Sequence, residues 1–224
     1  MDIWQMAAIA RYLDLPFTNP EIKSKVATLL KDAALPNLDR DRQTPGRDTQ
    51  FELFLASTWT MAGHPCHMMP PPGADFALQL GAYVFGMEAK RIKSLESLAK
   101  RSGKAAQQLR SFPAGGLIAT DLTVPILGSR QFLTATSGTA AIRDLERRLC
   151  LLMRTSLGKV RAAAKGGAAF GWIGYCQSLY MIPGQALICA YQWKNFNLQS
   201  GEDPRWLQVV KAFDDLVLTP GRLA

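Results

Sequence analysis

Residues 75–90, DFALQLGAYVFGMEAK, constrain the fold more than any other part of the chain. Apolar and polar residues alternate on both sides of Gly81 and Ala82, which predicts two antiparallel strands joined by a tight turn. A turn centred on these two residues fixes which residues face each other across the hairpin. One face is then wholly apolar and consists of the opposed pairs Phe76 and Met87, Leu78 and Phe85, and Leu80 and Tyr83.

The same register gathers charge at the open end of the hairpin. Asp75 lies opposite Glu88, and Lys90 shares the face of Glu88 because side chains alternate along a strand. Directly opposed residues have Cβ atoms about 4.5–5.5 Å apart, and like charges at that spacing repel each other. We therefore expect a cation between the two carboxylates.

The segments around the hairpin predict an α/β fold with a central mixed sheet flanked by helices. Residues 36–48 are polar and rich in helix breakers, which predicts a linker or long loop. We therefore divide the chain into an N-terminal helical segment with its linker, 1–47, and an α/β domain, 48–224. The expected strands are 116–127 and two within 168–193, joined around Pro183-Gly184. The expected helices are two within 1–35, one from Thr49 to Gly63, and others at 94–111, 138–164 and 206–216.

The order of these elements and charges resembles the PD-(D/E)xK nuclease superfamily, the restriction-endonuclease-like fold. The chain has Glu52 early in a helix, Asp75 at the start of a strand, and then Glu88-Ala89-Lys90 at the end of the next strand. A basic helix and a further strand follow. The resemblance covers about residues 48–125, and Ala74 stands where the family name expects proline. It implies a restriction-endonuclease-like core with an N-terminal helical extension.

The resemblance also implies a reaction, the Mg²⁺-dependent hydrolysis of DNA phosphodiester bonds by an endonuclease, with Mn²⁺ as a substitute metal. Asp75 and Glu88 would hold the metal together with the main-chain carbonyl of Ala89. Lys90 would position the attacking water and stabilise the charge of the transition state. Glu52 would act from its helix as an outer ligand, directly or through water.

Other readings of these residues stay open. Thr49-x-x-Glu52 also fits a capping box, in which Glu52 bonds to the backbone at the helix start, and this does not exclude a metal role. The hairpin charges could be a solvated strand edge, and the chain could be a non-catalytic nucleic-acid-binding or assembly module on a nuclease-like fold. A zinc site at His64, Cys66 and His67 is disfavoured, because no second paired cluster of Cys and His supplies further ligands.

The excess positive charge lies in one central block. Residues 88–165 contain 15 basic and 5 acidic side chains, whereas 1–87 carry a net charge of −2 and 166–224 carry none. A concentrated basic block favours phosphate polyanions. We expect the DNA backbone to be held by Lys93, Lys100, Arg101, Lys104 and Arg110, and by Arg143, Arg147, Arg148 and Arg154 on the long helix.

Cysteine spacing and hydropathy bear on location and partners. The four cysteines are far apart and include no CxxC pair, which predicts reduced thiols and a cytoplasmic protein. The stretch from Gly166 to Trp193 has no charged residue, but Pro183-Gly184 interrupts it, so we expect two buried strands and no membrane partner. A homodimer or a partner protein is compatible with a nuclease that cuts two strands.

Overall fold

The computed structural model describes residues 3–12, 19–30, 45–184 and 187–218. Within these ranges a mixed sheet of seven strands is flanked by helices, so the predicted α/β class is confirmed. The strands are β1 (Cys66–Met68), β2 (Phe76–Leu80), β3 (Tyr83–Arg91), β4 (Gly116–Asp121), β5 (Leu133–Thr134), β6 (Ala169–Met181) and β7 (Ile188–Asn197). The helices are α1 (Ile3–Tyr12), α2 (Pro20–Leu29), α3 (Pro45–Met61), α4 (Leu95–Gln108), α5 (Thr123–Leu127), α6 (Gly138–Ala164) and α7 (Pro204–Leu218).

Strand pairing divides the sheet into an antiparallel and a parallel part. Strands β1, β2 and β3 form an antiparallel meander. Helix α4 then crosses to β4, which pairs parallel with β3, and β4 pairs parallel with β6. Strand β7 turns back antiparallel along β6, and β5 adds a short parallel ladder to the far end of β6. The carboxyl ends of β3, β4 and β6 therefore meet at one end of the sheet.

The hairpin register is confirmed. All five pairs of β2 with β3 are those that the alternation predicts, from Phe76 opposite Met87 to Leu80 opposite Tyr83. Gly81 has φ +58, the positive value that the first turn position of such a hairpin requires. The pairing places Asp75 at the end of the ladder beside Glu88.

Each face of the sheet buries its own core. Phe76, Phe85 and Met87 pack with Phe54 and Trp59 of α3 on one face. Helices α1, α2 and α7 contribute to that same core through residues such as Ile9, Ile22 and Phe213. The other face packs Ile118 and Trp172 against Leu109, Leu145 and Met153, beneath α4 and α6. Helices therefore cover both faces of the sheet.

The uncharged stretch 166–193 forms the long strands β6 and β7, as its composition predicts, with Pro183-Gly184 in the turn between them. No helix in the described ranges is long and apolar enough to cross a membrane.

Two expected element boundaries are wrong. Helix α3 begins at Pro45 instead of Thr49, so the last four residues of the expected linker are helical. Proline suits the first turn because the N–H groups there have no intrahelical partner. The expected strand 116–127 ends at Asp121, whose Oδ1 accepts a 2.9 Å hydrogen bond from the N–H of Thr123 and so starts α5. Residues 31–44, which include the rest of the linker, lie outside the described residues. The division at residue 47 falls inside α3, and the N-terminal segment as a separate unit stays a prediction.

Candidate active site

The end of the β2–β3 ladder places Asp75 against the backbone of β3. The Asp75 N–H donates to the carbonyl of Met87 at 3.0 Å, and its Oδ2 accepts a 2.8 Å hydrogen bond from the N–H of Ala89. Because one strand residue directs its N–H and C=O to the same side, the carbonyl of Ala89 also faces the edge where β2 pairing has ended. One carboxylate and one main-chain carbonyl therefore lie together at this edge.

The cation expected between the carboxylates is the ammonium of Lys90. Its Nζ donates to Oε1 of Glu88 and lies 3.9 Å from Oδ2 of Asp75. The structure thus brings together Asp75, Glu88 and Lys90 as the hairpin register predicts. The second carboxylate oxygen of Glu88, Oε2, is buried and has no hydrogen-bond partner among the described residues. A buried carboxylate oxygen in this state has unused capacity to bind a donor or a cation.

Burial raises the pKa of both carboxyl groups. The Glu88 side chain is fully buried and that of Asp75 is 14% exposed. Desolvation, followed by the charge of Glu52, raises the pKa of Asp75 to about 7, although Lys90 and the Ala89 N–H oppose this. Burial also raises the pKa of Glu88 against the effect of Lys90. Desolvation lowers the pKa of Lys90, but the surrounding carboxylates outweigh it, and the ammonium pKa is raised. The site therefore changes its protonation near neutral pH.

Glu52 reaches the edge of this group from α3. It lies in the third turn of that helix, so the capping-box interpretation is wrong because Thr49 does not stand at the helix start. Its Oε2 accepts instead from the ammonium of Lys25 on α2, and both side chains are less than one-fifth exposed. Glu52 acts electrostatically on Asp75, Glu88 and Lys90, which places it beside them.

Asp48 is a residue that the sequence interpretation missed. It precedes Glu52 by one helical turn on α3, and its Oδ1 is buried with no hydrogen-bond partner among the described residues. Burial raises its pKa, while the charges of Arg91, Arg101 and Lys93 lower it. The spacing of four residues would place Asp48 and Glu52 on the same side of one helix. The sequence alone does not reveal this, because it predicts a helix that starts at Thr49 and not at Pro45.

The predicted nucleic-acid-binding residues occupy different surroundings. Lys93 and Arg101 lie within electrostatic reach of Asp48 and therefore near the candidate site. Lys100 and Lys104 are exposed on the outer face of α4. The guanidinium of Arg110 donates to the carbonyl of Gly166, in the turn before β6. The charges near the site thus come from the loop after β3 and from one side of α4.

The histidine-containing loop after α3 forms a separate cluster. Nε2 of His64 lies 3.8 Å from Oδ2 of Asp215 on α7, and burial raises the pKa of the Cys66 thiol to about 12. Metals bind the thiolate, which this pKa disfavours. Across the four described ranges, no group of three or more His, Cys, Asp or Glu side chains is placed to hold a metal ion.

The chain matches no protein-family profile and no curated protein. The functional argument therefore depends on the geometry of this group. A buried carboxylate pair, a main-chain carbonyl and an ammonium at one strand end can bind a hard cation and place a donor beside it.

Proposed function

We propose that this protein is a metal-dependent DNA endonuclease with a restriction-endonuclease-like core. The topology supports this core, since an antiparallel meander of three strands is followed by a helix and a strand parallel to the third. Helix α3 precedes the meander and contributes Glu52. This order of elements supports the proposed core.

The observation that carries the proposal is the buried pair of Asp75 and Glu88 with Lys90 between them. Burying a carboxylate without full pairing is costly, and Glu88 keeps an unpaired oxygen while Asp75 has a pKa of about 7. Such strongly perturbed groups at one place are typical of functional sites.

These residues fit a magnesium ion. Mg²⁺ binds through one or two carboxylates and keeps waters and phosphate oxygens as its other ligands, so a group of three acidic side chains is not needed. Asp75, Glu88 and the carbonyl of Ala89 would hold it, with Glu52 as an outer ligand. When bound, the metal would supply Lewis-acid charge and a lowered pKa for water.

The remaining roles belong to side chains of this chain. Lys90 would hold the attacking water and donate to the phosphate oxygen that gains charge, since its raised pKa keeps it protonated at neutral pH. Lys25 keeps Glu52 in place through their ion pair. Lys93 and Arg101 would hold the substrate backbone beside the cut.

The test is cleavage of supercoiled, linear, single-stranded and branched DNA with 5 mM Mg²⁺ or Mn²⁺. We expect cleavage by the wild-type protein and none in EDTA. Asp75→Asn and Lys90→Met should lower the rate at least a hundredfold, whereas the matched surface variants Glu202→Gln and Lys23→Met should leave it unchanged. Circular dichroism checks that each variant is folded. Absence of metal-dependent cleavage on every substrate would reject the nuclease.

One observation favours a second candidate, the non-catalytic nucleic-acid-binding or assembly module. Lys90 already pairs with Glu88 and lies 3.9 Å from Asp75, so a cation of the chain itself is present between the two carboxylates. This candidate predicts salt-sensitive DNA binding that Asp75→Asn preserves or strengthens. It also predicts no Mn²⁺ binding by calorimetry, whereas the nuclease requires a Mn²⁺ site that Asp75→Asn abolishes.

A further inference from the structure

Helix α6 carries a stripe of basic side chains along its solvent face. Arg143, Arg147, Arg154, Arg161 and Lys165 are all exposed, and successive members are four or seven residues apart. These spacings return to the same side of an α-helix. From Arg143 to Lys165, the C-cap residue of α6, the stripe extends over 22 residue steps, which correspond to about 33 Å at 1.5 Å per residue.

Helix α4 packs against the side of α6 that faces away from this stripe, since Ala163 lies two residues from both Arg161 and Lys165. The two helices pack closely, since a Cβ on Gly103 would lie 3.1 Å from the carbonyl oxygen of Ala163. At the same end the N–H of Ala168, just after α6, donates to the carbonyl of Ala106 at 2.9 Å. Lys100 and Lys104 are exposed on α4, whereas Arg101 lies near Asp48. We call the five exposed cations of this stripe the α6 ridge: Arg143, Arg147, Arg154, Arg161 and Lys165.

The acidic residues of the two helices compensate only part of this charge. Asp144 is paired with Arg147 and with Arg148, which lies off the ridge. Glu146 lies 3.9 Å from Lys194 of β7, and Lys159 acts on Glu96. Each acid thus has a cation beside it.

We propose that the α6 ridge is a docking track for the phosphate backbone of duplex DNA, distinct from the contacts at the candidate active site. Its length is close to one helical turn, about ten base pairs at 3.4 Å each. An anionic membrane fits less well, because the apolar face of α6, with Leu145, Leu149 and Met153, is buried in the core and cannot insert into lipid. The choice of DNA rests on the proposed function.

The ridge assigns binding roles that differ from the sequence expectation. Arg148 donates to Asp144 at 2.7 Å, Arg110 to the carbonyl of Gly166, and Arg161 of the ridge to the carbonyl of Asn197 at 2.9 Å, so these three guanidinium groups also hold parts of the fold together. Arg154 and Lys165 have no ion pair within the described residues and are the best sites for a test. Neutralising both should remove two phosphate contacts.

The experiment measures binding of a 30-base-pair duplex by fluorescence anisotropy in EDTA, between 50 and 200 mM salt. Arg154→Gln/Lys165→Gln should lower the log–log salt slope by about 1.8 and weaken binding on the order of 10- to 100-fold at 0.1 M salt. The control Lys23→Gln/Lys211→Gln removes the same charge from exposed positions off the ridge and should change neither quantity. The variant Arg154→Lys/Lys165→Arg keeps a positive charge at each position and should preserve both the affinity and the salt slope.

Equal affinity and slope for the ridge variant and its control would overturn the proposal. So would a variant that keeps its DNA affinity but loses binding to vesicles of equal phosphatidylcholine and phosphatidylglycerol. Because EDTA prevents cleavage, the result is independent of catalysis. A protein without nuclease activity could still use the ridge, and an active nuclease could lack it, so the two failures are distinguishable.

Discussion

The carboxylate of Asp75 accepts a 2.8 Å hydrogen bond from the main-chain N–H of Ala89, so a side chain continues the strand pairing where the backbone of β2 no longer does. This bond fixes one oxygen of Asp75 at the sheet edge. It also directs the group toward Lys90, 3.9 Å away. The predictions below on pH and charge follow from this position of Asp75 beside Lys90.

Asp75→Asn should make the stability less dependent on pH. The folded-state pKa is raised from 3.8 to about 7, so the stability linked to this group is fully present below pH 3.8 and is lost as pH rises through about 7. Asparagine keeps an acceptor for the Ala89 N–H and never ionises. We expect the unfolding free energy of the variant minus that of wild type, both measured in EDTA, to be about 2–4 kcal/mol larger at pH 8 than at pH 4. Urea unfolding at pH 4 and pH 8 measures this difference, with Glu202→Gln as the control. Parallel pH profiles for Asp75→Asn and wild type would contradict the prediction.

Lys90→Met should destabilise the protein, because it leaves Glu88 buried without its counter-ion. Breaking one side of a buried pair costs about 3–5 kcal/mol. The double variant Lys90→Met/Glu88→Gln removes the charge as well and should recover at least half of that loss. Chemical denaturation of the wild type and these two variants at pH 8 measures the recovery. If the double variant is no more stable than Lys90→Met, Glu88 does not depend on this ammonium.

Lys25→Met should change the pKa of Asp75 through its ion-pair partner Glu52. Without the ammonium, the charge of Glu52 acts unopposed on Asp75, so the pKa of Asp75 should rise further above its ordinary value. The pH at which stability falls should therefore move upward. Glu52→Gln should move it the other way, and Lys23→Met, two residues earlier on α2, should leave it in place. The midpoint is read from unfolding profiles or from carboxyl NMR titration, and identical midpoints would contradict the coupling.

Thr120→Val tests the core beneath the site. The indole Nε1 of Trp172 donates to Oγ1 of Thr120 at 2.8 Å, and both side chains are fully buried. Valine has a similar volume but no acceptor, so the indole N–H is left unpaired and the cost should be about 1–3 kcal/mol. Thr120→Ser keeps the acceptor and loses only a methyl group, so it should cost about 1 kcal/mol. Equal losses for the two variants would show that the hydrogen bond does not contribute.

Local sequence patterns determined the hairpin and the three charges at its end. Alternation with a period of two, together with a glycine that accepts positive φ, allows one register, and a shift by one residue would expose Phe76 and Phe85. The opposition of Asp75 and Glu88 follows from that register. The long helix α6, whose buried stripe repeats at helical spacing, is likewise local information, and its predicted bounds agree with the structure.

Only the tertiary structure brought Asp48 and Lys25 to the site and divided the basic residues between the site, the ridge and the fold. Lys25 and Glu52 are 27 residues apart and meet because α2 and α3 bury apolar faces in one core. Arg110 and Gly166 are 56 residues apart and meet because α4 and α6 lie side by side. Periodicity shows which face of an element is buried but not which element covers it. That partner is decided by how the apolar faces of the whole chain pack together.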